Sequence, residues 1–164
     1  QDNEVSWLDW SLIDEDLLEL TRDLIALRRS NAVLRRRRFL TGRPVNGSGL
    51  PDIAWLAPDG SEMSDEDWET GHAKSIGVFV NGAAIRATDP FGGRVVDDSF
   101  MVIVNASELD LDWKLPGNGW VERWVYELDS ASPQVGSPNR KPWYVNPGAT
   151  LKVTSRSFVL LREA

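Results

Sequence analysis

The chain is predicted to be mainly β, an antiparallel β-sandwich preceded by one helix. Three observations carry that expectation. Only residues 14–31 show strong helical periodicity. After residue 39 the chain breaks into short apolar runs separated by turns rich in Gly, Pro, Asn and Asp, the pattern of antiparallel strands. A length of 164 residues with 41% hydrophobic content suffices for one domain with a genuine core and a small appendage.

The helix is read first. Leu17, Leu18, Thr21, Leu24, Ile25 and Arg28 recur at helical spacing, while Glu19, Arg22 and Asp23 fall on other faces. Asp14, Glu15 and Asp16 in the first turn and Arg28 and Arg29 in the last complement the helix dipole, and Asn31 is a suitable stop. A single amphipathic helix of this length is not stable alone, so it is expected to rest on the β domain or to be partly exposed.

The remaining elements follow in order. Residues 42–49 form a loop by composition. Residues 52–56 read as a strand closed by the turn Pro58-Asp59-Gly60, and Ser64 as the cap of one helical turn ending at Trp68. Residues 75–80 read as a strand, and the following Asn81-Gly82 as a hairpin turn. Residues 99–104 form a continuous apolar run, expected to be a strand buried on both faces. Residues 120–128, 149–153 and 157–161 complete the strands, with an irregular connection over 129–148.

Composition excludes several functions. A net charge of −7 argues against a nucleic-acid binder, because phosphate affinity needs a basic surface. Without cysteine there is no disulfide framework, thiolate metal site or thiol nucleophile, which fits a cytoplasmic protein. No apolar run approaches the roughly 20 residues that span a bilayer, so no membrane partner is expected.

Chemistry-bearing constellations are sparse. Asp97-Asp98 and Asp65-Glu66-Asp67 are the tightest carboxylate groups, and loop solvation and capping account for them better than acid–base work or a hard-cation site. His72 is the single histidine and has neither a nucleophile elbow nor a second imidazole for company, so it is expected to be an ordinary surface or hydrogen-bonding residue. The run Arg35–Arg38 is expected to pair with acidic residues of a neighbouring element. No catalytic residue, metal site or cofactor is assigned. The eight tryptophans are more informative, since indoles stack on the apolar faces of sugar rings. Trp7 and Trp10, beside Asp2, Asn3, Glu4 and Asp9, combine such faces with hydrogen-bonding groups suited to hydroxyls. Trp113, Trp120, Trp124 and Trp143 form a second candidate platform, although packing is the expected role for most of them; Trp55 and Trp124, in strands, are read as structural.

Residues 1–10, the segments Leu24–Arg29 and Arg35–Phe39, residues 52–60 with Glu62-Met63 and Asp67-Trp68, residues 77–82 and residues 97–106 together resemble bacterial glycogen debranching enzymes, of the isoamylase branch of the α-amylase superfamily. The likeness is good to about residue 106 and looser beyond. It implies a three-part enzyme with an N-terminal β domain, a (β/α)8 barrel and a C-terminal antiparallel β domain. Residues 1–38 would be the last loop and helix of the barrel, and residues 39–164 the C-terminal domain. The abrupt start without Met is expected to reflect that missing barrel. Retaining hydrolysis of α-1,6 branch linkages in such enzymes uses an aspartate nucleophile, a glutamate acid/base and a second aspartate, all on earlier barrel strands. This chain lacks them and is expected to be inactive alone.

Active sites of barrels form from loops at the C-terminal ends of the strands. Residues 1–10 would belong to that rim, making Asp2, Asn3, Trp7 and Trp10 candidate substrate-binding residues of a parent acting on glycogen or limit dextrin. Two other readings compete with an accessory role beside the barrel: a stand-alone α-glucan-binding module with a row of exposed aromatics, and an interaction module that self-associates through the helix.

Overall fold

The computed structural model describes residues 2–45, 49–71, 73–132 and 141–164. His72, Asn46 to Ser48 and residues 133–140 of the irregular connection expected over 129–148 lie outside the described residues. Helix α1 (Glu15–Ser30) is followed by a 3-10 turn (Ala32–Arg35), strand β1 (Ile53–Leu56), the short helix α2 (Asp65–Glu69) and strands β2 (Ser75–Val80), β3 (Phe100–Asn105), β4 (Leu111–Lys114), β5 (Trp124–Asp129), β6 (Tyr144–Val145), β7 (Thr150–Val153) and β8 (Ser157–Glu163).

The strands form an antiparallel sandwich. One sheet has six strands in the order β1-β2-β3-β8-β5-β6, and β4 and β7 pair as a second sheet. Alternation along the strands builds the core between them. Ala54, Leu56, Phe79, Met101, Ile103, Val159 and Leu161 from the large sheet meet Trp113, Leu151 and Val153 from the small one. Gly77 makes this approach possible: a Cβ there would lie 2.9 Å from Trp113 Cζ2, so the indole occupies space that only glycine leaves open.

The opposite face of the large sheet is covered by a second cluster. Phe100, Leu128, Leu160, Val33 and Ile85 form its buried centre, and Leu20, Leu24 and Leu27 of α1 pack against it. Central strand β3 is thus apolar on both faces, as its unbroken run predicts, with Met101 and Ile103 turned to one cluster and Phe100 and Val102 to the other.

Helix α1 follows its sequence signals closely. The Asp14 side chain accepts from Leu17 N at 3.0 Å, and the Asn31 side chain donates to Leu27 O at 2.8 Å. The helix is both packed and exposed. Leu20, Leu24 and Leu27 rest on the sheet, while Leu17 and Ile25, on the adjoining flank, face solvent.

Two sequence expectations need correction. Asn81-Gly82 is not a hairpin turn. Asn81 instead caps a 3-10 turn (Gly82–Ala84), its side chain accepting from Ala83 N, and a long excursion precedes β3. Glycine is required there because a Cβ would meet Asp97 O at 2.0 Å, a close approach of two backbones and not a reversal of direction. The strand expected from residue 120 begins at Trp124, and an irregularity between Tyr126 and Leu128 shifts its register against β8. That shift sends Tyr126 to one cluster and Leu128 to the other, which simple alternation does not produce.

Candidate functional site

The amino-terminal segment is built from local turns. Asn3 spends its polar groups on its own neighbourhood: its Oδ1 accepts from Val5 N at 3.1 Å and its carbonyl from Ser6 N at 2.9 Å. This turn returns the chain so that Trp7 Nε1 donates to Asp2 Oδ1 at 2.5 Å. Asp9 caps the next turn (Trp10–Leu12), accepting from Ser11 N at 2.9 Å and from its hydroxyl at 2.6 Å. Those bonds, the hydroxyl's first, hold the Asp9 carboxyl below the usual carboxylate range.

Of the four predicted substrate-binding residues, Asp2 and Trp7 are brought together and Asn3 lies in the turn that joins them. The Trp10 indole makes neither a hydrogen bond nor a ring contact with described residues. Trp7 is 62% and Trp10 73% exposed. With Val5, Leu8, Leu12, Leu17 and Ile25 they leave an apolar surface open along the segment and one flank of α1. A shallow groove of about 600 Å³, lined by Arg22, Ile25, Ala26, Arg29 and Ser30, runs beside it.

The second tryptophan platform does not form. Trp113 and Trp124 are buried in the core, and Trp120 packs edge-on against Phe79 with centroids 5.0 Å apart. For Trp113 and Trp124 the reason is register, because β4 and β5 turn their indoles between the sheets. Trp143 alone of that set is well exposed, at 55%, stacked on Tyr126 at 4.4 Å. Burial, then the neighbouring Asp129, push the Tyr126 hydroxyl well above its ordinary range.

Trp55, expected to be structural, instead lies on the outer face of edge strand β1, 40% exposed, with Trp68 of α2 beside it at 52%. Alternation within residues 53–56 already puts Trp55 on the face opposite Ala54 and Leu56, a signal that placement in a strand alone does not reveal.

Several of the charged groups have structural partners. Asp97 accepts from Val33 N at 2.9 Å, and Asp98 pairs with Arg162 at 2.7 Å. Asp67 closes a capping box with Ser64. Arg36, from the arginine run, reaches inward, donating to Asn81 O at 2.7 Å and facing Asp52 at 4.0 Å. Burial draws its pKa down while Asp52 opposes that shift. Asp52 in turn accepts from Thr41 N at 3.0 Å, Gly42 N at 2.9 Å and the Thr41 hydroxyl at 3.2 Å, fixing the arm that leads from the helix to β1. Among the described residues no group of three or more His, Cys, Asp or Glu side chains is placed to hold a metal, and no helix is long and apolar enough to cross a membrane.

Comparison with known proteins agrees with this architecture. The family described as isoamylase, C-terminal, matches residues 52–162. Curated proteins named glycogen operon protein GlgX homolog from Mycobacterium bovis and Mycobacterium tuberculosis are each 44% identical over 99% of this chain, which spans 22% of their length. A glycogen debranching enzyme from Yersinia pseudotuberculosis is 26% identical over 73% of the chain and 15% of its own length. The chain therefore belongs to the isoamylase C-terminal domain family and is homologous to part of the glycogen debranching enzymes.

Proposed function

We propose that this chain is the accessory, carboxy-terminal part of a cytoplasmic glycogen debranching hydrolase, structural in role and without hydrolytic activity of its own. Residues 1–38 are the last loop and helix of the catalytic barrel, and residues 39–164 are the domain that supports it. The parent cleaves α-1,6-glucosidic branch linkages in glycogen or limit dextrin. The observation that carries this reading is the uncovered apolar flank of α1, where Leu17 and Ile25 face solvent on a helix otherwise seated on the sheet, together with the exposed Trp7, Leu8 and Trp10 of the segment that precedes it. An apolar surface of that kind calls for a partner. The upstream polypeptide supplies one, since the relatives are several times longer than this chain. In the parent, Asp2 and Trp7, joined by their hydrogen bond, and Asn3 and Trp10 beside them line the rim where the branched glucan binds.

Isolated from that partner, the same flank drives self-association. The acidic start of α1 (Glu15, Asp16) and its basic end (Arg28, Arg29) favour an antiparallel pairing of two copies.

The test is association. The upstream part of a 44%-identical relative, produced without the matching segment, is mixed with this chain and followed by analytical ultracentrifugation. A one-to-one complex that is lost in a Leu17→Ser, Ile25→Ser double variant is the expected result. Two species that sediment independently, each shown to be folded, would refute the proposal.

A further inference from the structure

We infer that Trp55 and Trp68 form a glucan-binding platform on the surface of the sandwich, separate from the amino-terminal segment. The ligand class, a neutral α-glucan chain, rests on the function proposed above; the site itself rests on geometry. The two indoles meet at 5.5 Å between centroids and 78° between planes, so they form a corner in place of a flat stack. Both keep large exposed areas, and among the described residues neither indole N–H is hydrogen-bonded. Two open ring surfaces with two free donors match a pyranose ring, which offers apolar C–H faces and a rim of hydroxyl acceptors.

The corner is held by rigid elements. Trp55 lies in β1, laddered to β2 opposite Val78. Its carbonyl accepts from Met63 N at 2.9 Å, so the chain leaving the strand is pinned to its free edge before it enters α2. The capping box, with Ser64 N donating to Asp67 Oδ2 at 2.8 Å, fixes the start of that helix and thereby the direction of Trp68. Binding to such a preformed corner requires little ordering of the protein. Glu62, Asp65, Glu66 and Glu69 in the surrounding segment accept hydrogen bonds from hydroxyls and repel anions, which selects a neutral polyol over a phosphorylated ligand.

The experiment uses the full 164-residue chain, with folding of every variant checked by near-ultraviolet circular dichroism. Migration through native gels containing glycogen gives the affinity, and titration with maltoheptaose is followed at the indole N–H resonances. The expected result is retardation of the parent chain, loss of about tenfold in affinity in Trp68→Ala, and unchanged retardation in Trp143→Ala. Trp55→Ala is expected to act like Trp68→Ala; should it unfold, the Trp68 variant alone decides. A folded chain that ignores glycogen overturns the inference, as does a Trp68→Ala variant retarded like the parent chain or a loss confined to Trp143→Ala. Trp68→Ala that leaves glucan binding intact but weakens capture of the upstream polypeptide also overturns it, and assigns the corner to domain contact. Failure of the accessory role shows instead in the ultracentrifuge, where the glucan is absent.

Discussion

Replacing Asp52 by alanine is expected to destabilise the chain by about 3–5 kcal/mol, because its buried carboxylate accepts from the Thr41 and Gly42 amides and faces the largely buried Arg36 guanidinium. Asp52 is 2% exposed. Two backbone donors, Thr41 N at 3.0 Å and Gly42 N at 2.9 Å, end on it, with the Thr41 hydroxyl at 3.2 Å and the Arg36 guanidinium at 4.0 Å. Hydrogen bonds to a charged acceptor contribute about 1.5–3 kcal/mol each, but partners that share one group do not add fully. Arg36 worsens the loss: among the described residues its Nε is buried without a partner, and removing the opposing charge leaves Asn81 O as the guanidinium's remaining hydrogen-bond acceptor there. Asp52→Asn separates the two contributions. It keeps Oδ1 for the Thr41 and Gly42 amides but removes the charge and puts an amide NH2 where Oδ2 accepts from the Thr41 hydroxyl and faces Arg36, for an expected cost of about 1–2 kcal/mol. Urea unfolding followed by tryptophan fluorescence measures both variants, with the midpoint shifting at constant slope. Equal losses in the two variants, or less than about 1 kcal/mol for alanine, would refute the assignment of Asp52 as the anchor of the arm.

Three further outcomes are expected. Gly77→Ala brings a methyl group within 2.9 Å of Trp113 Cζ2 and 3.3 Å of Leu56 Cβ, so a loss of about 1–3 kcal/mol in urea unfolding is predicted, and a neutral result would mean that the indole moves freely. Asp110 is held below its ordinary pKa by the Ser155 amide and then by Lys152, so its folded-state value lies under the unfolded value of 3.8. Its contribution is therefore present above about pH 4 and is lost as pH falls through the folded pKa. Asp110→Asn is accordingly expected to lower the melting temperature at pH 7 and to leave it nearly unchanged at pH 2.5; a deficit that persists in acid would contradict this. The Leu17→Ser, Ile25→Ser variant is expected to sediment as a monomer at concentrations where the parent chain self-associates, without loss of helix by circular dichroism, because neither side chain is packed on the sheet.

Local signals in the sequence are reliable where one short segment determines its own structure. Asp14 and Asn31 cap α1, and Ser64 with Asp67 caps α2, because capping needs only neighbours three or four residues away. The double-faced β3 follows from its unbroken apolar run. Features set by distant contacts are less legible. Asn81-Gly82 carries a hairpin signature, yet its glycine serves the approach of Asp97, a contact fifteen residues away. Strands β4 and β6 are short, and their pairing with β7 and β5 depends on the assembled sandwich. For the tryptophans, composition gives their chemistry and only the register gives their exposure. Trp113 and Trp124 turn inward, whereas Trp55 turns out toward Trp68. The grouping of Asp2 with Trp7 depends on the Asn3 turn, whose Asx geometry is visible once Asn3 is seen two residues before Val5.

The proposal that this chain supports a glucan-cleaving partner without hydrolysing glucan itself is tested by release of reducing ends from glycogen limit dextrin. The assay compares this chain alone, the upstream part of a close relative alone, and the two combined. No release from the chain, little from the upstream part, and restored α-1,6 hydrolysis from the combination are expected. Hydrolysis by the chain alone, or full activity of the upstream part without it, would contradict the proposal.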